Sequence, residues 1–486
     1  MNAPTTVPPL ARDASGKLPF LLQIVYGLGE IPITATMGLV GIYVLFFYNS
    51  VMGLDAALAG IGSTAGLVLD ALLDPYIGFR SDVARFRLGR RQSFMLLGCL
   101  GMGPFFFMLL SPPQGLGQWP LFFWLLTASI GFRFCFAVYR IPYLSLGAEL
   151  TRDYDERTRV IAIRSLIGLV GLASAATLPL LVFLRGVSDG RDPKLQYSGY
   201  PVMGAAFGAV MTVCGLIAVF GTQSRTTFGD PERAREEARH FFSGMWVFLK
   251  NPNFRAIWLS FTLCSIAVVV NFSLALQFLK WYAGIQDPHS LSTVQGAFYI
   301  GAVLGVLAWI WVVKRGEKRN FFMGAVLGLV SVLSLASLLV GPGHLFGTGH
   351  TLPLAAGNFI AGLCASALWV LPFSMMADVV DEDALVSGMR REGVCFGIMN
   401  FGEKIASGGA LGLSGLLLRH FVHLAPGQEE QTGTAIERLG MAYGLIPAGL
   451  MLLAVVVVLR FRLKRKDVLA IQTQLAARGG APAQSA

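Results

Sequence analysis

Apolar runs of roughly twenty residues or more recur from one end of the chain to the other, separated by short polar stretches. They fall near 20–48, 55–79, 92–111, 119–147, 158–184, 200–221, 253–283, 291–313, 320–341, 352–379, 393–418 and 438–461. Each is long enough to cross a hydrocarbon core of about 30 Å as a helix rising about 1.5 Å per residue. The pattern therefore predicts an all-α membrane protein with twelve transmembrane helices. The longest polar connection, 222–252, splits them into two sets of six. Its GDPERAREEARHFF portion opens on Asp230-Pro231 and ends in apolar residues, which reads as an amphipathic surface helix. The expected divisions are a tail over 1–19, a six-helix bundle over 20–221, the linker over 222–252, a second six-helix bundle over 253–461 and a tail over 462–486.

Charge orients this pattern. The loops after the second, fourth, sixth and eighth runs carry Arg87 and Arg90; Arg152, Arg157 and Arg159; Arg233, Arg235 and Arg239; and Lys314, Arg315, Lys318 and Arg319. Loops between them, such as 111–118 and 341–350, carry no Lys or Arg, although Arg185, Arg191, Lys194 and Arg419 are exceptions elsewhere. The positive-inside rule then puts both termini in the cytoplasm, in a multi-pass protein of the cell (inner) membrane. Composition agrees: 54% of residues are hydrophobic and only 14% charged. The net charge of +10 does not point to nucleic acid, because the basic residues lie in short loops where they orient helices. The six cysteines lie inside apolar runs without paired spacing, so neither a disulfide nor a metal site is expected. Met1–Lys17 is polar and Pro-rich, with no cleavable signal expected.

The chemistry lies in charges that fall inside the apolar runs. Asp70 and Asp74 are four residues apart and share one face of the second helix. Pro75 follows and cannot donate to the carbonyl of Ala71, so a kink is expected beside both carboxylates. An Asp at the bilayer centre costs about 2.5–3.5 kcal/mol on insertion scales, so the pair reads as a cation site. The competing reading is two salt-bridged aspartates at a helix end. Glu30, Arg133, Arg140, Arg164 and Lys404 also fall inside runs, and Asp378 falls near the end of one. Arg255 and Lys280 lie near run ends, where long side chains can snorkel. Trp369 reads first as a packing residue, since aromatics in membrane spans mostly pack, with substrate contact as the alternative. Asp378 and Asp381, with Arg390 and Arg391, read as a gating network at the membrane edge. Arg87, Arg90 and Arg91 are expected to meet such carboxylates.

Several motifs together resemble a known family. Tyr26-Gly-Leu-Gly29, DALLDP at Asp70–Pro75, IPYLSLGAEL at Ile141–Leu150, ADVVDED at Ala377–Asp383 and GMRREG at Gly388–Gly393, then Lys404, recur in the glycoside–pentoside–hexuronide:cation symporters of the major facilitator superfamily. The vertebrate lysophosphatidylcholine symporters are distantly similar. The resemblance covers nearly the whole chain. It implies two pseudo-symmetric six-helix bundles, cation ligation by Asp70 and Asp74, and a coupling role for Lys404. It also implies a sugar-site arginine at Arg164 and a sugar-site tryptophan at Trp369. Gly78 to Arg91, with Asp82, resembles the superfamily's cytoplasmic loop. The departures are Thr34 and Arg140 where galactoside binders carry aspartates, and Leu144 where they carry a tryptophan. Thr34 is expected beside the cation, and Arg140 and Leu144 at the substrate.

These residues predict a cation-coupled symporter working by alternating access, with Na⁺ favoured over H⁺ and no other cofactor. Its partners are a small-molecule solute, the coupling cation and the lipid bilayer, and a monomer is expected. The solute is a sugar, glycoside or hexuronide. An anionic one is favoured, because Arg133, Arg140, Arg164 and Lys404 outnumber Glu30, Asp70 and Asp74. Otherwise Glu30 neutralises one arginine permanently. The alternatives are an amphiphile such as a lysophospholipid, or a non-transporting sensor or adaptor, which would have no need of the aspartate pair. An enzyme is not expected. All six histidines lie in loops or at run ends, and no HExxH, G-x-S-x-G or P-loop occurs.

Overall fold

A computed structural model describes residues 18–83, 88–150, 154–184, 192–223, 248–387 and 392–479. The linker helix expected within 222–252 lies outside the described residues, as do most of the N-terminal tail and Arg87, Arg390 and Arg391. The described residues form helices and no strands. In chain order the long ones are α1 Phe20–Val51, α2 Ala56–Val83, α3 Arg90–Leu110, α4 Gln118–Glu149, α5 Tyr154–Leu178 and α6 Gly199–Gly221. They continue as α7 Pro252–Tyr282, α8 Pro288–Val312, α9 Lys318–Leu339, α10 Thr351–Ser387, α11 Glu392–Leu416 and α12 Gly433–Val458. A further helix, α13 Arg465–Gly479, lies in the expected C-terminal tail.

Among the described residues, eleven helices are long and apolar enough to cross a membrane. The remaining long helix is α2. Its 28 residues reach about 42 Å, and apolar Ala71, Leu72 and Leu73 continue it between its two aspartates. The helix in which a kink is expected at Pro75 runs through it to Val83.

The helix starts follow local chemistry. Asp287 caps α8 by accepting from the Ser290 N–H at 2.8 Å, and Pro288 takes the first position, where no N–H is needed. Asn251 and Pro252 start α7 in the same way. The cap holds the exposed Asp287 carboxyl below its usual range.

The chain divides into two units, Met1–Ala238 and Arg239–Ala486. Each holds six of the twelve long helices, packed in one pattern. In the first, α1 packs on α5 and α6, and α4 on α2 and α3, while α3 also meets α6. In the second, α7 packs on α11 and α12, and α10 on α8 and α9, while α9 also meets α12. The repeat reaches atomic detail. α1 and α7 both end in a π-helical turn, at Phe47–Val51 and Phe278–Tyr282. A glycine in the left-handed region follows each, Gly53 (φ 73°) and Gly284 (φ 68°), where a side chain would be strained. Phe47 stacks on Tyr200 of α6 at 4.3 Å, and Phe278 stacks on Tyr443 of α12 at 3.8 Å.

Candidate functional site

The first unit gathers its buried charge around a break in α1. The helix is interrupted at Gly29–Glu30, with Pro32 just after. Pro32 has no N–H to give, and the Ile33 N–H turns to the Glu30 carbonyl at 3.0 Å, so the Gly29 carbonyl is left to a side chain. Tyr139 of α4 supplies it, its hydroxyl donating to Gly29 O at 2.9 Å. One turn on, the Tyr143 hydroxyl donates to Tyr26 O at 2.9 Å and the Tyr26 hydroxyl to Tyr143 O at 3.3 Å. The rings of Tyr26 and Tyr143 stack at 4.8 Å. Three phenols thus hold the break open, and Glu30 projects from it.

Glu30 lies against α5, where a Cβ on Gly168 would come within 2.8 Å of its Cγ. Small residues allow this approach, and it brings Glu30 Oε2 to 3.4 Å from Arg164 Nε. Arg140 of α4 also attracts Glu30 through space. Of these two arginines, Arg164 is the one at ion-pair distance.

The aspartates lie on α2, with Asp70 buried and Asp74 half-buried. At Gly66, one turn before Asp70, α4 comes so close that a Cβ would meet Ser129 O and Arg133 Cγ, each at 2.9 Å. Arg133 is thereby brought into Coulombic contact with Asp70. Its guanidinium lies 5.6 Å from the centre of the Phe136 ring, and that of Arg140 lies 6.0 Å from the same ring. One face of α4 thus links the carboxylates of α2 to the carboxylate of α1, in the order Asp70, Arg133, Phe136, Arg140, Glu30, Arg164.

The other expected residues are placed differently. The Thr34 hydroxyl donates to its own helix, to Glu30 O at 3.2 Å, as a Thr in a helix interior can, and Thr34 packs toward Gly171 of α5. Leu144 is half-buried on α4. In the second unit Lys404 is buried and Trp369 is 42% exposed. Lys280, expected to snorkel, is buried as well, within the π-helical turn that ends α7.

The gate residues are engaged within the second unit. Lys318 of α9 donates to both oxygens of Asp378, at 2.8 and 2.7 Å, and to Ser374 O at 3.3 Å. Within the second unit the ion-pair partner of Asp378 is Lys318. Asp381 accepts from Gln472 of α13 at 3.1 Å. Its neighbour Glu382, which the sequence reading passed over, accepts from Asn251 at 3.1 Å and from Asn253 at 3.0 and 3.1 Å. Asn253 in turn accepts from the Arg462 N–H at 2.9 Å. In the first unit Arg91 is buried, Arg90 opens α3 and Asp82 lies in the last turn of α2.

Twelve long apolar helices in two repeated sets of six, with carboxylates and guanidiniums held inside the spans, define a membrane transporter of the major facilitator fold. The chain belongs to the MFS/sugar transport protein family, whose model matches residues 25–465. Among relatives, an uncharacterised symporter of Synechocystis sp. is 26% identical, covering 95% of this chain and 97% of that one. The sphingosine-1-phosphate transporter of Mus musculus is 25% identical, covering 94% and 92%. A glucuronide carrier protein homolog of Escherichia coli is also 25% identical, covering 89% and 90%. A solved bacterial homolog of the human lysosomal transporter Spinster shares the fold, with a TM-score of 0.62 at 16% identity and 96% and 98% coverage. The protein is a transporter and not an enzyme.

Proposed function

We propose that this protein is a cation-coupled symporter for a solute with an anionic group, a hexuronide or similar glycoside being the first choice. The observation that carries the reading is the charge relay along α4, from Asp70 through Arg133 and Arg140 to Glu30 and Arg164. Coupling requires that occupancy at one site be felt at the other. A cation that neutralises Asp70 and Asp74 weakens their hold on Arg133, and that change is passed along one helix face to the groups that would meet the solute. The carboxylate pair offers only oxygen ligands, which suits a hard monovalent cation such as Na⁺. Two guanidiniums against one carboxylate around Glu30 favour a solute that brings negative charge.

Lys404 and Trp369 are assigned to the same solute by the family resemblance, as is Leu144 on α4. The basic loops orient both termini toward the cytoplasm of the cell membrane. A second reading, an amphiphile with a charged head group, is favoured by the likeness to a sphingosine-1-phosphate transporter.

Uptake into proteoliposomes tests the assignment. A Na⁺ gradient should drive accumulation of methyl β-glucuronide more strongly than of methyl β-glucoside, and Asp70→Asn should abolish the gradient-driven part while the protein remains folded. Equal uptake by wild type and by both Asp70→Asn and Asp74→Asn would remove the cation site from α2. Accumulation of lysophosphatidylglycerol and not of either sugar would select the amphiphile reading.

A further inference from the structure

The Glu30–Arg164 pair is held at ion-pair distance without closing into a hydrogen bond. Glu30 Oε2 and Arg164 Nε are 3.4 Å apart, and neither atom has a hydrogen-bond partner among the described residues. A carboxylate and a guanidinium free to settle close to about 2.7–2.9 Å with a straight N–H···O. Both side chains are well shielded, at 13% and 23% exposure, so the unmade bond is costly. The neighbouring phenols touch the pair without closing it: Tyr143 lies within hydrogen-bond reach of the Glu30 carboxyl and Tyr26 of the Arg164 guanidinium, while the hydroxyl protons of Tyr26, Tyr139 and Tyr143 go to backbone carbonyls. Glu30 is also attracted by a second guanidinium, Arg140 of α4, so the carboxylate has two cations to choose between. Thr34, which also packs against α5, is neutral and bonded to its own helix. One carboxylate against two guanidiniums leaves a single positive charge.

We infer that Glu30 is the exchangeable resident counter-ion of Arg164. A monoanionic group on the solute takes the Arg164 guanidinium, Glu30 withdraws to Arg140, and the loaded site is neutral. Glu30 holds the place of the solute's anion while the site is empty, which keeps two guanidiniums from facing each other unscreened. The chemistry recognised is one negative charge able to accept from a guanidinium. A sugar carboxylate and a lipid phosphodiester both offer it. A neutral solute cannot displace Glu30, and a dianion leaves excess negative charge. The inference rests on the anionic-solute reading above.

Binding to the purified full-length protein in nanodiscs separates the two. The probes are two matched pairs: methyl β-glucuronide with methyl β-glucoside, and lysophosphatidylglycerol with monoacylglycerol. Wild type should bind one monoanion in preference to its neutral partner, and the pair that shows the preference identifies the source of the anion. Glu30→Gln removes the resident competitor, so the same monoanion should bind about tenfold more tightly while the neutral partner is unchanged. Arg140→Gln removes the place to which Glu30 withdraws and should weaken monoanion binding about tenfold. It also carries the test if Glu30→Gln does not fold. A wild type that prefers monoanions, with folded Glu30→Gln binding them no more tightly or Arg140→Gln no less, would overturn the exchange and leave the anion reading standing. A wild type that binds neither pair, or prefers the neutral member, would overturn both.

Discussion

At the scale of single residues, the site is a set of charges that each helix could not keep alone. Asp70 is buried inside a stretch that is apolar on both sides of it. Arg133 is the cation that the packing of α4 on Gly66 brings to it. Taking away one member of a buried pair leaves the other charge without its counter-ion, a loss of about 3 kcal/mol. Arg133→Gln should therefore lower the melting temperature of the purified protein clearly. The double variant Asp70→Asn/Arg133→Gln should recover most of the loss, since the cycle removes both charges at once. Strict additivity of the two single effects would show that the residues do not interact. Thr34 makes the opposite point: its hydroxyl is spent within α1, so its contribution is packing against Gly171.

At the scale of elements, local chemistry settles where helices begin and tertiary packing settles how they end. The start of α8 is written in Asp287-Pro288, with the cap bond to Ser290. That bond lowers the Asp287 carboxyl below its ordinary range, so the stabilisation is present in full above the unfolded value of about 3.9 and is lost as pH falls through the lower folded value. Asp287→Ala should cost about 0.5–1 kcal/mol at neutral pH. The difference from wild type should close as the pH drops below about 4, which melting curves across pH would show; a constant difference down to pH 2 would mean the cap is not the cause. Helix ends behave otherwise. The π-turn at Phe278–Tyr282 contains the buried Lys280 and precedes Gly284, and the corresponding turn in α1 precedes Gly53. The repeat Phe-x₅-Gly-[Leu/Ile] at Phe47–Leu54 and Phe278–Ile285 was present in the chain as a signal of it, although the two loops after α2 and α8 give the more visible echo.

At the scale of the whole molecule, each unit repeats the same packing of first helix on fifth and sixth, and of fourth on second and third. The second unit adds α13, tied to α10 through Gln472 and Asp381 and to the loop before α9 through the Arg465 N–H and Glu317 at 3.0 Å. The proposed topology, an even number of crossings with the basic loops on one side, puts both termini in one compartment. A single cysteine introduced into the C-terminal tail of an otherwise cysteine-free variant should resist an impermeant maleimide in intact cells and react after the membrane is opened. Labelling in intact cells would invert the topology.

The sequence by itself determined what the bilayer demands. Backbone groups inside hydrocarbon must be satisfied within a helix, so the span positions could be read from uninterrupted apolar runs. A charge inside such a run is costly enough to stand out, which is why Asp70, Asp74, Glu30, Arg133, Arg140, Arg164 and Lys404 were visible as candidates. Helical spacing placed Asp70 with Asp74, and Arg133 with Arg140, on shared faces. It could not say which helix would cover those faces. That choice was made by close approaches at Gly66 and Gly168, by the break at Gly29–Glu30 and by the tyrosines that satisfy it. Glu30 meets Arg164, Asp378 meets Lys318, and Lys280 turns inward only once the helices have packed. A contact between distant positions on different helices leaves no periodic trace in the chain, and only tertiary packing decides it.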